Sequence, residues 1–247
     1  MDQEELLFGK NPVFEALRAG REINKLLIQQ GESERNLQEI INLAKAKKIP
    51  IQILIKRAME EKAEGGVHQG VIAYVSPIAY VEVEEMLARA KEKNEIPYLL
   101  ILDHLSDPHN LGAILRTADA CGCHGVIIPN RRSVSVNSTV AKTSAGAVEY
   151  VPIARVGNLV QTIDKLKEVG CWIAGLEADG SQRFTNADFK MPLAVVIGSE
   201  GEGISRLVRE HCDFLVHIPM CGKINSLNAS VAASVISYEV YRQRNIS

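Results

Sequence analysis

The sequence predicts an α/β protein, with a mostly parallel sheet over its C-terminal half and a small alternating α/β unit ahead of it. Three observations predict this. Short, almost continuous apolar runs recur from residue 98 onward, and helix-period segments separate them, the pattern of strands buried on both faces. The first 75 residues repeat the alternation on a smaller scale. Three loops rich in glycine and polar residues each follow one of the apolar runs, and parallel sheets bind ligands at the carboxyl ends of their strands.

The elements follow in order. Residues 12–19 carry a short helical pattern, 25–28 (Lys-Leu-Leu-Ile) a buried strand, 36–47 an amphipathic helix, 51–55 a second strand and 70–75 a third. Residues 77–94 are polar and helical, with Val81, Val83, Met86 and Leu87 as the few apolar anchors, and Pro97 follows. That composition suits a connector. Strand patterns then fall at 99–102, 125–128, 171–176, 193–197 and 214–218, with helices at 110–121, 159–169 and 228–243. The expected division is a unit of residues 1–76, a linker of 77–96 and a larger domain of 97–247.

Composition narrows the chemistry. In 247 residues, 46% hydrophobic and 23% charged content is that of an ordinary globular protein, which excludes disordered and fibrous classes. No apolar run reaches the length of a membrane helix, and Met1-Asp2-Gln3-Glu4-Glu5 lacks the features of an export signal, so a cytoplasmic protein is expected. The 28 basic and 30 acidic residues leave a net charge of −2, so a nucleic-acid surface has to be local. Lys45, Lys47, Lys48, Lys56 and Arg57 form one such cluster, balanced between a solvated surface and an RNA-facing patch. Five cysteines fit reduced thiols better than a disulfide framework. Cys121, Cys123 and His124 have no zinc-type spacing and read as small residues at a helix end, so no metal site is expected.

The first loop, 103–112, runs Asp-His-Leu-Ser-Asp-Pro-His-Asn-Leu-Gly into a helix. Pro108 breaks the chain, Asn110 is the expected N-cap, and Gly112 opens a gap in the first turn. Leu111, Ile114, Leu115 and Ala118 make the core stripe, whereas Arg116 lies off it. The second loop begins Gly198-Ser199-Glu200-Gly201-Glu202-Gly203. Its order, G-x-x-G-x-G, is neither the dinucleotide fingerprint nor a Walker loop, which removes the best support for nicotinamide or nucleoside triphosphate. The third runs from Ile218-Pro219-Met220 to Ser226-Leu227-Asn228 and opens the last helix with Ala229-Ser230-Val231-Ala232-Ala233. Ser226 and Asn228 alone would read as caps.

Together, Asp107-Pro-x-Asn-x-Gly-x-x-x-Arg-Thr-Ala, Ile197-Gly-Ser-Glu-Gly-x-Gly-Ile, Ile218-Pro-Met and Ser226-Leu-Asn-Ala-Ser-Val-Ala resemble, in order and spacing, the three signature motifs of the SpoU (TrmH-like) branch of the SPOUT RNA methyltransferases. Phe8-Gly9-Lys10-Asn11-Pro12-Val13 and Val67-His68-Gln69-Gly70-Val71 resemble the N-terminal substrate-binding domain of one subgroup, which 2′-O-methylates a guanosine of 23S ribosomal RNA. Relatives acting on transfer RNA or on another ribosomal nucleotide, and a non-catalytic RNA-binding protein of this fold, are the alternatives.

The resemblance implies a C-terminal deep trefoil knot, an L30e/L7Ae-like N-terminal domain, a homodimer and S-adenosylmethionine (AdoMet) as cofactor, with no metal. It assigns Gly198, Gly201, Ile218, Met220 and Leu227 to the cofactor's cradle. Asn110, Arg116, Glu200, Ser226 and Asn228 become the catalytic set, with Arg116 as general base or alkoxide-stabilising group and Glu200 beside it. Arg131, Arg132 and Lys142 are the expected RNA contacts of the larger domain.

Overall fold

The computed structural model of the protein describes residues 4–31, 34–131, 133–223 and 226–245. Arg132, an expected RNA contact, lies outside the described residues. The elements run β1 (Glu5–Phe8), α1 (Lys10–Ala19), β2 (Ile23–Gln29), α2 (Glu34–Ala46), β3 (Ile51–Leu54), α3 (Lys56–Ala63), β4 (Val71–Val75), α4 (Val83–Glu92), β5 (Tyr98–Leu102) and α5 (Pro108–Ala120). They continue with β6 (Gly125–Pro129), α6 (Ser138–Thr143), β7 (Ile153–Val156), α7 (Leu159–Glu168), β8 (Trp172–Leu176), β9 (Gln182–Arg183), β10 (Leu193–Ile197), α8 (Arg206–Glu210), β11 (Phe214–His217) and α9 (Ala229–Asn245). The chain forms two compact units, one of residues to Ala79 with Val136–Tyr150, the other of Tyr80–Ser135 with the residues from Val151 onward.

The smaller unit has a four-stranded sheet in the order β1-β4-β2-β3, antiparallel except for the parallel β2–β3 pair. Two segments distant in sequence meet at its first helix. The Gly9 amide donates to the Val71 carbonyl, and the Gln69 side chain accepts from the Lys10 amide, satisfying a donor at the start of α1. Residues 136–150 fold here although the sequence expectation placed them in the larger domain. Arg21 holds them: its guanidinium lies 2.9 Å from the Glu149 carboxylate, with both side chains under 10% exposed. Burial pushes the Glu149 carboxyl up, against the pull of Arg21.

The larger unit has seven parallel strands in the order β7-β6-β5-β10-β8-β11-β9. Every residue of β5, β6 and β10 is buried, which is why those strands read as unbroken apolar runs. Leu99, Ile101, Ala194 and Val196 face a cluster completed by Met86 of α4, Ile163 and Leu166 of α7 and Val208 of α8. The stretch expected as a connector therefore contributes to the core. A Cβ on Gly125 would lie 2.2 Å from Met86 Sδ, so the first residue of β6 has room only for hydrogen.

Helices α5 and α9 pack together, and α9 also meets β10. Small residues permit the approach, with Ala118 and Ala233 fully buried and Thr117 Oγ1 2.8 Å from Ser234 Oγ. The far end of α9 is tied to the amino edge of the sheet. Arg244 donates to the carbonyls of Ile96 (2.7 Å), Phe189 (2.9 Å), Met191 (2.7 Å) and Pro97 (3.2 Å), just before β5 and β10. Nearby, His124 Nδ1 accepts the Tyr98 amide, and burial pushes the Cys121 thiol up to about 11 and that of Cys123 to about 12. Cys123 and His124 thus serve the start of β5, the Cys123 thiol donating to the Tyr98 carbonyl.

Arg244→Ala takes a donor from four carbonyls, of which only that of Pro97 keeps a backbone partner among the described residues, the Leu193 amide, and we expect a loss of about 2–4 kcal/mol in urea unfolding. Arg244→Lys should recover only part of it, because an ammonium lacks the fork that spans four acceptors.

Candidate active site

At the carboxyl edge of β10, β8 and β11 lies a cavity of about 520 Å³. Four segments wall it: residues 176–178 after β8, 197–203 after β10, Ile218 and Met220 after β11, and residues 226–229 with Ala232 at the start of α9. The five residues expected at a cofactor, Gly198, Gly201, Ile218, Met220 and Leu227, all line it, as do Glu200, Ser226 and Asn228.

The segment after β10 is folded tightly on itself. Ser199 and Gly203 exchange both backbone hydrogen bonds, each 3.1 Å long. A Cβ on Gly198 would stand 2.1 Å from the Gly203 carbonyl carbon and 2.4 Å from the Ile204 nitrogen, so the two limbs touch through backbone alone. The turn between them presents Glu200, Gly201 and Glu202 to the cavity.

A small polar network joins three parts of the chain beside it. Asn110 Nδ2 donates to Glu200 Oε1 at 2.8 Å, and Asn228 Nδ2 donates to both Asn110 Oδ1, at 3.0 Å, and Glu200 Oε1. Asn228 Oδ1 meanwhile accepts from the Ser230 amide at 2.9 Å and the Val231 amide at 3.3 Å, so one amide side chain both caps α9 and ties it to the glycine turn. Asn110 is only 5% exposed, and its hydrogen-bond needs are met inside this network.

Two expectations are corrected. Asn110 is not the N-cap of α5. Asp107 is, its carboxylate accepting from the His109 amide at 2.8 Å, with Pro108 in the first turn, where its missing N–H costs nothing. This leaves the Asn110 side chain free to turn toward Glu200. Nor does Glu200 pair with Arg116. Two amides occupy Glu200 Oε1, whereas Arg116 sits six residues beyond Asn110, about 9 Å further along α5. Arg116 is exposed, does not line the cavity, and has no hydrogen-bond or ion-pair partner among the described residues.

Ser226 lines the cavity with its side chain in solvent. Arg131 is exposed after β6, and Lys142 is exposed on α6, so the two belong to different units. Sequence reasoning missed Leu176, Glu177 and Ala178. The signal was present, because they follow an apolar strand of the same sheet, but their composition does not stand out as a glycine-rich loop does.

Glu177, Glu200 and Glu202 are the ionisable side chains of the wall, and no Lys, Arg or His lines it among the described residues. Such a wall attracts a cation and disfavours phosphate. The carbonyl-rich turn and the apolar side chains of Ile218, Met220 and Leu227 offer a flat group both hydrogen bonds and contact.

Comparison with known proteins gives a consistent result along the chain. The profile of the SpoU rRNA Methylase family matches residues 97–238, and one described as RNA 2′-O ribose methyltransferase substrate binding matches residues 6–81. Bacillus subtilis YacO, a protein named for the TrmH family of tRNA/rRNA methyltransferases, is 49% identical over 243 residues, 98% of this chain and 97% of its own. A Staphylococcus aureus protein named for the same family is 50% identical over 98% of both chains. Among solved structures, the SpoU methyltransferase AviRb from Streptomyces viridochromogenes, in complex with AdoMet, is 26% identical, covering 97% of this chain and 90% of its own, with a TM-score of 0.80. The A. aeolicus TrmH/SpoU tRNA modifying enzyme is 31% identical, covering 65% of this chain and 83% of its own, with a TM-score of 0.55.

The close approach at Gly198 makes a sharp test. Gly198→Ala should lower stability by about 1–3 kcal/mol in urea unfolding and speed exchange of the Ser199 amide, because the added methyl has to prise the two limbs apart.

Proposed function

Because the chain belongs to the SpoU rRNA methylase family of RNA methyltransferases, we propose that it methylates the ribose 2′-hydroxyl of a guanosine in 23S ribosomal RNA, using AdoMet as donor. The observation that carries the cofactor reading is the cavity itself: three carboxylates, no cationic side chain among the described residues, and a glycine turn whose backbone approaches any ligand closely. These features fit a ligand with a sulfonium and an ammonium and oppose a polyphosphate. The AdoMet complex of AviRb supports the same reading. Gly198, Gly201, Ile218, Met220 and Leu227 would hold the adenosine part, and Glu200 and Glu202 would face the cationic part.

AdoMet, when bound, supplies a methyl group activated by a positively charged sulfur. This chain's residues then have to exclude water and align the acceptor hydroxyl, and orientation alone is worth roughly 7–11 kcal/mol in well-aligned reactions. The Asn110–Glu200–Asn228 network fixes the glycine turn relative to the starts of α5 and α9. Arg116, exposed and without a partner among the described residues, is available for the target ribose and its phosphate. A guanidinium pKa above about 12 favours positioning and stabilisation of the developing alkoxide over proton abstraction. Its place outside the cavity wall supports a homodimer in which the active site draws on both chains. The entry of β10 between β5 and β8, strands that precede it in sequence, supports a deep trefoil knot.

In the smaller unit, Lys45, Lys47 and Lys48 are exposed at and just beyond the end of α2, whereas Lys56 and Arg57 pair with Glu60 and Glu61 of their own helix. We assign these three exposed lysines, with Arg131 and Lys142, to RNA phosphates. The substrate-binding profile over residues 6–81 supports this use of the unit, which we read as L30e/L7Ae-like. Transfer RNA is the second reading, because the relatives' names carry both substrates.

Labelled methyl transfer to unmodified ribosomal and transfer RNA, followed by mapping of the label, tests the target: a single guanosine of 23S RNA is expected, and label confined to transfer RNA overturns that choice. Arg116→Ala should reduce turnover by at least about a hundredfold with AdoMet affinity nearly unchanged in calorimetry. Replacing Lys45, Lys47 and Lys48 together by Glu should weaken RNA binding and flatten its salt dependence without touching AdoMet affinity.

A further inference from the structure

We propose that Glu177 is a positioning residue: its carboxylate clamps the glycine turn from behind and thereby sets the shape of the cofactor cradle. Glu177 Oε1 accepts the hydrogen bond of the Ile204 amide. The same carboxylate turns its oxygen edge toward Gly203, where a Cβ would meet its two oxygens at 2.8 and 2.9 Å. Gly203 has φ +69° and returns both hydrogen bonds of Ser199, and its carbonyl carbon is the atom that Gly198 touches. One carboxylate therefore governs the returning limb of the turn, and through it the limb that carries Gly198 and Ser199.

The clamp is itself well anchored. The Glu177 amide donates to the Val216 carbonyl at 3.0 Å, and its carbonyl accepts from the Gly180 amide at 3.1 Å, which fixes its backbone between the ends of β8 and β11. A second acid acts on the next amide. Asp103, fully buried at the end of β5, accepts from the Ser205 amide at 2.7 Å, and its own amide donates to the Ile197 carbonyl at 2.8 Å. Consecutive amides, those of Ile204 and Ser205, are thus held by carboxylates from the two strands that flank β10. A turn of glycines has little conformational preference of its own, so these anchors select its shape.

Glu177 also adds charge to the cavity, and the two roles separate by substitution. Glu177→Gln removes the charge but keeps an oxygen for the Ile204 amide, whereas Glu177→Ala removes both. Backbone amide exchange in the ligand-free protein reads the clamp directly, without reference to any cofactor. Ser199, Gly203 and Ile204 should exchange at least about tenfold faster in the Ala variant, and close to the unsubstituted rate in the Gln variant.

The consequence for binding rests on the AdoMet reading above. Calorimetry with AdoMet should show a dissociation constant raised about tenfold or more in Glu177→Ala and largely restored in Glu177→Gln. Unchanged exchange in the Ala variant overturns the clamp, and so does equal weakening of AdoMet binding by Ala and Gln, which would leave charge as the whole effect. Failure of the unsubstituted protein to bind AdoMet would instead strike the cofactor assignment, while the exchange comparison still decides the clamp.

Discussion

The site depends on the placement of β10. This strand follows β8 and β9 along the chain, yet it lies between β5 and β8, paired in parallel with both over all five of its residues. Its carboxyl end is consequently flanked by two other carboxyl ends, and the turn that follows it has anchoring groups on either side. Asp103 comes from one neighbour and Glu177 from the other. A turn at the edge of the sheet would have had at most one.

A second constraint is the competition for Glu200. A carboxylate near an arginine ordinarily forms a charged pair, and the signature residues suggested that arrangement. Here two asparagine amides reach Glu200 first because the Asp107 cap and Pro108 start α5 early enough to bring Asn110 into its first turn. Neutral donors leave the carboxylate charged without cancelling it. The cavity wall keeps its negative character, and the guanidinium of Arg116 stays uncommitted among the described residues.

Much of this was legible in the sequence, for identifiable reasons. Strands buried on both faces admit few polar residues, so β5, β6, β8 and β10 announce themselves. Elements with one thin apolar stripe do not. Of α3, only Met59 and Ala63 are buried, and β1 has only Leu7 fully covered, so neither stood out from its surroundings. Residues 136–150 carry no period that reveals their partner, since Arg21 and Glu149 are paired across more than a hundred residues of chain. In the site, glycines, Ser226 and Asn228 were visible because they gather in loops after strands. Glu177 was not, because one acid after a strand is common and its role depends on the glycine that it faces. The cap of α5 was misread because Asp107 and Asn110 are both good caps, and only the placement of Pro108 in the first turn separates them.

Helix α9, 17 residues and about 25 Å long, is fastened at both ends by side-chain hydrogen bonds, through Asn228 at its beginning and Arg244 near its close. It works as a strut between opposite rims of the sheet. Loosening at the Arg244 end would slacken the strut and reach the asparagine that steadies the glycine turn. Loss of the Arg244 anchor would therefore register at the cavity, on the far rim, with every residue of its wall still in place.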